Sequence, residues 1–121
     1  AAMSTGLPLA RSGRLRAVAV TSPRRFSAVI PEVPTVAESG LPGYELVGWF
    51  GLMMPATTPA ETVARANAIA VQALRAQGMK ERLLNEGTEV VGNSPQEFDA
   101  FTRRELAKYE KLVKAANIKP E

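Results

Sequence analysis

Every residue from position 47 to position 54 is apolar or glycine, and this run constrains the fold more than any other part of the chain. It is much too short to span a membrane and is bounded by Gly43 and Pro55, so it reads as a central strand covered on both faces. A sheet with a layer on each side is then required. Gly48 and Gly51 flank Trp49 and Phe50, and glycine inside a strand marks a bend or a close backbone approach, which suits a hinge or crossover. Thr58, Pro59 and Glu61 then supply a capping box with proline at the first helical position, so a helix is expected to start almost where the strand ends. Strand, tight loop and capped helix make half of a βαβ unit.

The rest of the chain supports an α/β body. Residues 6–13 predict a short helix with Pro8 in its first turn and Gly13 closing it, and residues 15–20 predict a strand whose β-branched end lies deepest. Prolines at 23, 31, 34 and 42 exclude a long helix or central strand from the connection that follows. Thr35 and Glu38 form a second capping box there, with Gly40 placed to end at most two helical turns, and Val29, Ile30, Val33, Val36 and Leu41 should pack that connection onto the body. A helix over 59–77 with a flat, alanine-rich face is expected to end at Gly78, and a shorter one over 79–86 to end at Gly87. Residues 88–91 read as a brief extended stretch. Ser94, Pro95 and Glu97 then repeat the cap pattern and start a long helix through about Ala116. Lys108, Lys111 and Lys114 complement its dipole without needing a partner.

Composition removes most chemistries. A chain of 121 residues with 45% hydrophobic and 22% charged residues is in the range of one folded body with a modest core. It contains no cysteine and no histidine, so neither a Ser-His-Asp nor a Cys-His arrangement can be built, and its carboxylates are scattered singly. No catalysis, metal or cofactor is expected, and no dinucleotide or phosphate-loop glycine pattern is present. The net charge of +3 is local: Arg11, Arg14, Arg16, Arg24 and Arg25 fall in residues 1–31, which hold no acid. A basic nucleic-acid-binding module is the alternative this segment raises, but it has charge without a motif, and solvated ends of a strand account for it, so no nucleic acid partner is expected. Residues 1–8 show no signal-peptide pattern, and no transmembrane span is visible. The chain opens without methionine and in mid-pattern, which suits a part of a longer protein or a processed one.

Several motifs, in order, resemble one family. Gly13-Arg-Leu-Arg-Ala-Val-Ala-Val-Thr-Ser22, Pro31-Glu-Val-Pro-Thr-Val-Ala-Glu-Ser-Gly-Leu-Pro-Gly-Tyr44, Trp49-Phe-Gly-Leu and Pro55-Ala-Thr-Thr-Pro59 are similar to the solute-binding receptors of tripartite tricarboxylate transporters, the Bug proteins. Gly92-Asn-Ser-Pro-Gln-Glu-Phe98 and Lys114-Ala-Ala-Asn-Ile118 resemble the family's final helix and its end. The resemblance implies an α/β fold that is the C-terminal portion of a two-lobe, type II-like periplasmic binding protein. Residues 1–46 would end the second lobe with the proline-rich connection, and residues 47–121 would hold the crossover strand and the C-terminal helices of the first lobe.

It also implies a periplasmic receptor, not an enzyme, that takes up a small organic acid and works with transporter membrane subunits. A carboxylate would be held by backbone N–H groups and hydroxyls. Residues Met3, Ser4 and Thr5 would approach the cleft, with Ser4, Thr5 and Trp49 as ligand-binding residues; equally, Ser4 and Thr5 could cap the helix after them and Trp49 could anchor a core. Strands at 15–20 and 47–54 without neighbours would leave apolar edges unpaired, so this chain is expected to self-associate.

Overall fold

The computed structural model describes residues 2–119; Ala1, Pro120 and Glu121, the outermost residues of the expected two-part division, lie outside the described residues. Four helices follow one another in the order α1 Met3–Arg11, α2 Ala60–Arg75, α3 Gln77–Asn85 and α4 Pro95–Ala115. They belong to two interleaved compact units, one built from Ala1–Met54 with Ala73–Val90 and the other from Pro55–Gln72 with Val91–Glu121.

The first unit holds the core. Leu7 of α1 meets Val20, Phe26, Ile30 and Val33, and Met3, Val29 and Leu84 pack around them. The proline-rich connection therefore supplies most of the buried side chains, with Ile30 and Val33 in the cluster and Val29 against it as expected, whereas Leu41, expected to pack as well, is 59% exposed. It does so through tight turns: Ile30 N–H donates to the Phe26 carbonyl (3.0 Å) and Val33 N–H to the Ile30 carbonyl (3.1 Å). The expected helix after Thr35 is a turn over 36–40 instead.

Helix α1 begins at Met3, three residues earlier than the glycine and proline pattern predicts, so Pro8 lies inside it rather than in its first turn. The extra turn lets Met3 and Leu7, four residues apart on one face, reach the same core. Its C-terminus closes at Gly13 as expected. With Gly13 at φ +72°, Gly13 N–H donates to the Ala10 carbonyl and Arg14 N–H to the Leu9 carbonyl, both at 3.0 Å, which is a Schellman closure. Gly87 ends α3, and Asn117 ends α4, in the same way.

Both expected strands are absent among the described residues. Of residues 15–20 only Val20 is paired, in an isolated parallel bridge with Thr35: Val20 N–H donates to the Pro34 carbonyl and Val36 N–H to the Val20 carbonyl, each at 2.9 Å. Residues 47–54 form no named strand among the described residues, and they are exposed rather than buried, with Phe50 94% and Leu52 80% accessible. The reason is physical: strand composition specifies a residue that suits a pleated, covered surface, while a strand exists only beside a neighbour. Among the described residues the bridge between Val20 and Thr35 is what forms.

The second unit is made of helix. Helix α2 starts at Ala60, one residue after the position expected for Pro59, and Pro59 gives its carbonyl to the Val63 N–H (3.1 Å). It ends at Arg75 rather than at Gly78, because Ala76 turns extended at ψ 133° and α3 restarts at Gln77, with Gly78 inside it. Helix α4 has the full capping box: Glu97 N–H donates to Ser94 Oγ (3.2 Å), and Ser94 N–H donates to Glu97 Oε2 (2.7 Å). Among the described residues of this unit, none is buried. Asn67 Nδ2 ties α2 to the Asn93 carbonyl at 3.0 Å, and the Phe98 and Phe101 rings stack with centroids 6.4 Å apart. The i,i+4 ion pairs Asp99–Arg103 and Glu110–Lys114 decorate the exposed face of α4 and add little stability.

Candidate functional site

Ser4 and Thr5 occupy the first turn of α1, both exposed. Neither caps the helix. Ala2 is the N-cap residue, with no side-chain bond to the turn, and its carbonyl accepts from the N–H groups of Thr5 (3.1 Å) and Gly6 (2.9 Å) and from Thr5 Oγ1 (3.0 Å). The Met3 and Ser4 amides therefore have no acceptor among the described residues. Such a turn offers N–H groups and the Ser4 hydroxyl to an anion, with the positive end of the helix dipole behind them. Trp49 lies in the extended run and is 37% exposed, outside the buried cluster that a core anchor would join.

Two open surface depressions lie elsewhere in the first unit. One of about 220 Å³ is lined by Lys80, Leu84, Thr88, Glu89 and Val90, and one of about 330 Å³ by Arg75, Gln77, Lys80, Glu81 and Leu84. Neither lining includes Ser4, Thr5 or Trp49.

One polar cluster was only half visible in the sequence. Thr35 N–H donates to Glu38 Oε2 (2.7 Å) and Glu38 N–H donates to Thr35 Oγ1 (3.0 Å), the reciprocal box that the spacing predicts. Arg25 adds a fork onto the same carboxylate, its Nε reaching Oε2 at 2.9 Å and Oε1 at 3.2 Å, and its Nη1 reaches the Pro31 carbonyl at 3.4 Å. This clips the start of the connection to its middle beside the Val20–Thr35 bridge. It also takes one of the five arginines out of any basic patch.

The Thr35 backbone N–H, followed by the Arg25 guanidinium, holds the Glu38 carboxyl below the usual carboxylate range, and the Ser94 backbone N–H and hydroxyl do the same for Glu97. A carboxyl whose pKa is lower folded than unfolded stabilises the fold fully above its unfolded value and loses that contribution as pH falls through its folded value. Stability should therefore decline on the acid side as these two groups protonate. Urea midpoints measured at stepped pH should show a flatter acid limb for the Glu38→Gln, Glu97→Gln double variant than for the wild type; an unchanged limb would mean that other carboxylates set it.

A family model described as the tripartite tricarboxylate transporter family receptor matches residues 1–118. The chain belongs to this receptor family. A protein from the tcbD–tcbE intergenic region of Pseudomonas sp. strain P51 is 38% identical over 101 residues, covering 83% of this chain and 30% of the relative. Protein BugT of Bordetella pertussis is 31% identical over 109 residues, covering 90% of this chain and 33% of BugT. Among solved structures, R. palustris Rpa4515 with adipate superposes with a TM-score of 0.86 at 34% identity, over 98% of this chain and 40% of that one. The chain thus spans about a third of the length of these two curated relatives. The transporter-receptor resemblance and the α/β binding-protein fold class read from the motifs both stand. Among the described residues, no helix of this receptor-family chain is long and apolar enough to cross a membrane.

Proposed function

We propose that this chain is part of a periplasmic receptor that delivers a small carboxylate to the membrane subunits of a tripartite transporter. The observation that carries the reading is the family match over nearly the whole chain, joined to a structural relative at TM-score 0.86 that was solved with adipate. In this reading the Ser4 hydroxyl and the unaccepted Met3 and Ser4 amides of the first turn of α1 receive one carboxylate, the Thr5 hydroxyl turns from the Ala2 carbonyl to join them, and Trp49 lines the apolar part of the ligand. Amide and hydroxyl donors suit such a ligand because they satisfy an anion without a buried cation.

A chimera tests this: residues 1–118 are placed in the R. palustris protein in exchange for the part they match. Adipate at one hundred times its Kd should stabilise the chimera by about 2.7 kcal/mol and raise its Tm. Ser4→Ala, Thr5→Val and Trp49→Ala should each weaken binding, by up to about tenfold for a lost hydrogen bond. If the chimera melts cooperatively and no di- or tricarboxylate moves its Tm, the substrate class is wrong. If binding occurs and all three substitutions leave it unchanged, the three residues are not the site.

A further inference from the structure

We propose that the C-terminal end of α1 is a docking surface for an anionic lipid bilayer, with Arg11, Arg14 and Arg16 set around Leu9 and Leu15. Of the receptor reading it needs only the membrane beside which a receptor works, and the carboxylate plays no part. Arg11 is in the last turn of α1, and every residue from Arg11 to Arg16 is exposed. The closure at Gly13 folds the chain back on the helix end: the Arg14 and Leu15 N–H groups both donate to the Leu9 carbonyl, at 3.0 and 3.2 Å. Three guanidinium side chains are thereby rooted at one helix end together with two exposed leucines, Leu9 at 36% and Leu15 at 51%.

No acid offsets these charges. Residues 1–31 contain none, and no ion pair among the described residues involves Arg11, Arg14 or Arg16. Glu38 is taken by Arg25 and Glu86 by Arg82, and Gly87, next to Glu86, lies against Met3 at the opposite end of α1. The helix dipole accounts for Arg11 in the last turn but not for Arg14 and Arg16 beyond it. Neither surface depression is lined by any of these five residues, so nothing there encloses a single small anion. The segment also has no aromatic side chain from position 1 to position 25, which leaves the bases of a nucleic acid nothing to stack on. A bilayer supplies what fits both halves of the surface: repeated phosphates for the guanidinium groups and, just beneath them, an apolar layer for the leucines. Ser4 and the unaccepted amides stand at the other end of the helix, about 10 Å from Arg11 along its axis, so docking here leaves that turn free.

Co-sedimentation of the 121-residue chain with vesicles of equal parts phosphatidylglycerol and phosphatidylcholine tests this, with pure phosphatidylcholine vesicles beside them. The chain should bind the anionic vesicles alone, and less as salt is raised. Each arginine at a charged surface contributes about fivefold, so the Arg11→Gln, Arg14→Gln, Arg16→Gln variant should lower the partition coefficient by about a hundredfold. Should that variant melt early, Arg14→Gln with Arg16→Gln, both beyond the helix, should still lower it by about thirtyfold. Leu15→Ser keeps the charge and should weaken binding by about threefold or more. Lys108→Gln, Lys111→Gln, Lys114→Gln removes the same charge from α4 and should lower binding by no more than about fivefold. Equal losses in the arginine and lysine variants would show that net charge does the binding, and would overturn the proposal. Equal binding to phosphatidylcholine would overturn it too, as would displacement by inorganic phosphate beyond that by sodium chloride of the same ionic strength, the mark of a free-anion site. Capture by polyglutamate with no binding to anionic vesicles would overturn it in favour of an acidic protein. The chimera with the R. palustris protein should bind the same vesicles with the same loss on arginine substitution. A chimera that ignores them would show that the rest of a receptor covers this surface, and the proposal would fall. No carboxylate ligand enters any arm, so failure here leaves the carboxylate reading to its own test.

Discussion

Phe26→Ala is expected to abolish the cooperative melt of the first unit. Phe26 is 8% exposed and is the largest of five buried apolar side chains among the described residues; Leu7 comes from α1, Val20 from the residues before the proline-rich connection, and Phe26, Ile30 and Val33 from the connection itself. Truncating a buried Phe to Ala costs about 3–5 kcal/mol, against about 5–15 kcal/mol for the whole stability of an ordinary domain. A core this small has no reserve. The turn bonds that the Phe26 carbonyl accepts from Val29 and Ile30 remain possible in the variant, so the loss belongs to packing. Phe50→Ala is the matched control: a side chain 94% exposed should change stability by no more than about 0.5 kcal/mol. Urea unfolding followed by circular dichroism separates the two, and equal effects would mean that the core is not where the structure has it.

Gly87→Ala should be the next most damaging change. Gly87 sits at φ +78°, past the C-terminus of α3, where Gly87 N–H donates to the Leu84 carbonyl (2.9 Å) and Thr88 N–H to the Leu83 carbonyl (2.8 Å). A side chain in that left-handed conformation costs about 1–2 kcal/mol. The added Cβ would also collide with Cγ and Cβ of Met3; rotation about χ1 can move Cγ, but Cβ is fixed to the backbone of α1, and Met3 packs against the core. Overpacking of this kind adds about 1–3 kcal/mol. Together the two effects predict a loss of about 2–5 kcal/mol. Gly78→Ala, at a glycine inside α3 with open space around it, should instead be neutral or slightly stabilising. A Gly87→Ala variant that melts like wild type would show that α1 is not seated against the end of α3.

These two sites also show what the sequence could reveal. Helix ends were legible because their chemistry is local: Ser94 and Glu97 cap α4, and Gly13 and Gly87 close α1 and α3 where their positions predict. The break between α2 and α3 was not, since it falls at Ala76, a good helix former, two residues before the glycine that should have marked it. Strands were misread for a different reason. Residues 15–20 and 47–54 have strand composition, but a strand depends on ladder pairing, and among the described residues of these stretches Val20 is the one in a bridge. The clip from Arg25 to Glu38 joins residues thirteen positions apart and left no periodic trace. For the site, Ser4, Thr5 and Trp49 came from family resemblance. Residue pattern alone could not place them, because an exposed hydroxyl and a half-exposed indole carry no spacing that marks a ligand.

Calorimetric titration with adipate bears most directly on the receptor reading, run on the 121-residue chain and on the chimera that restores it to the R. palustris protein. The account predicts saturable heat with one site in the chimera and weak or undetectable heat in the chain alone, because this chain matches only 40% of the adipate-bound structure. A folded chimera that gives no heat with adipate or with any other di- or tricarboxylate would contradict the account. So would tight one-site binding by the chain alone, since the depressions and exposed turn of this chain would then be a complete site without the rest of a receptor.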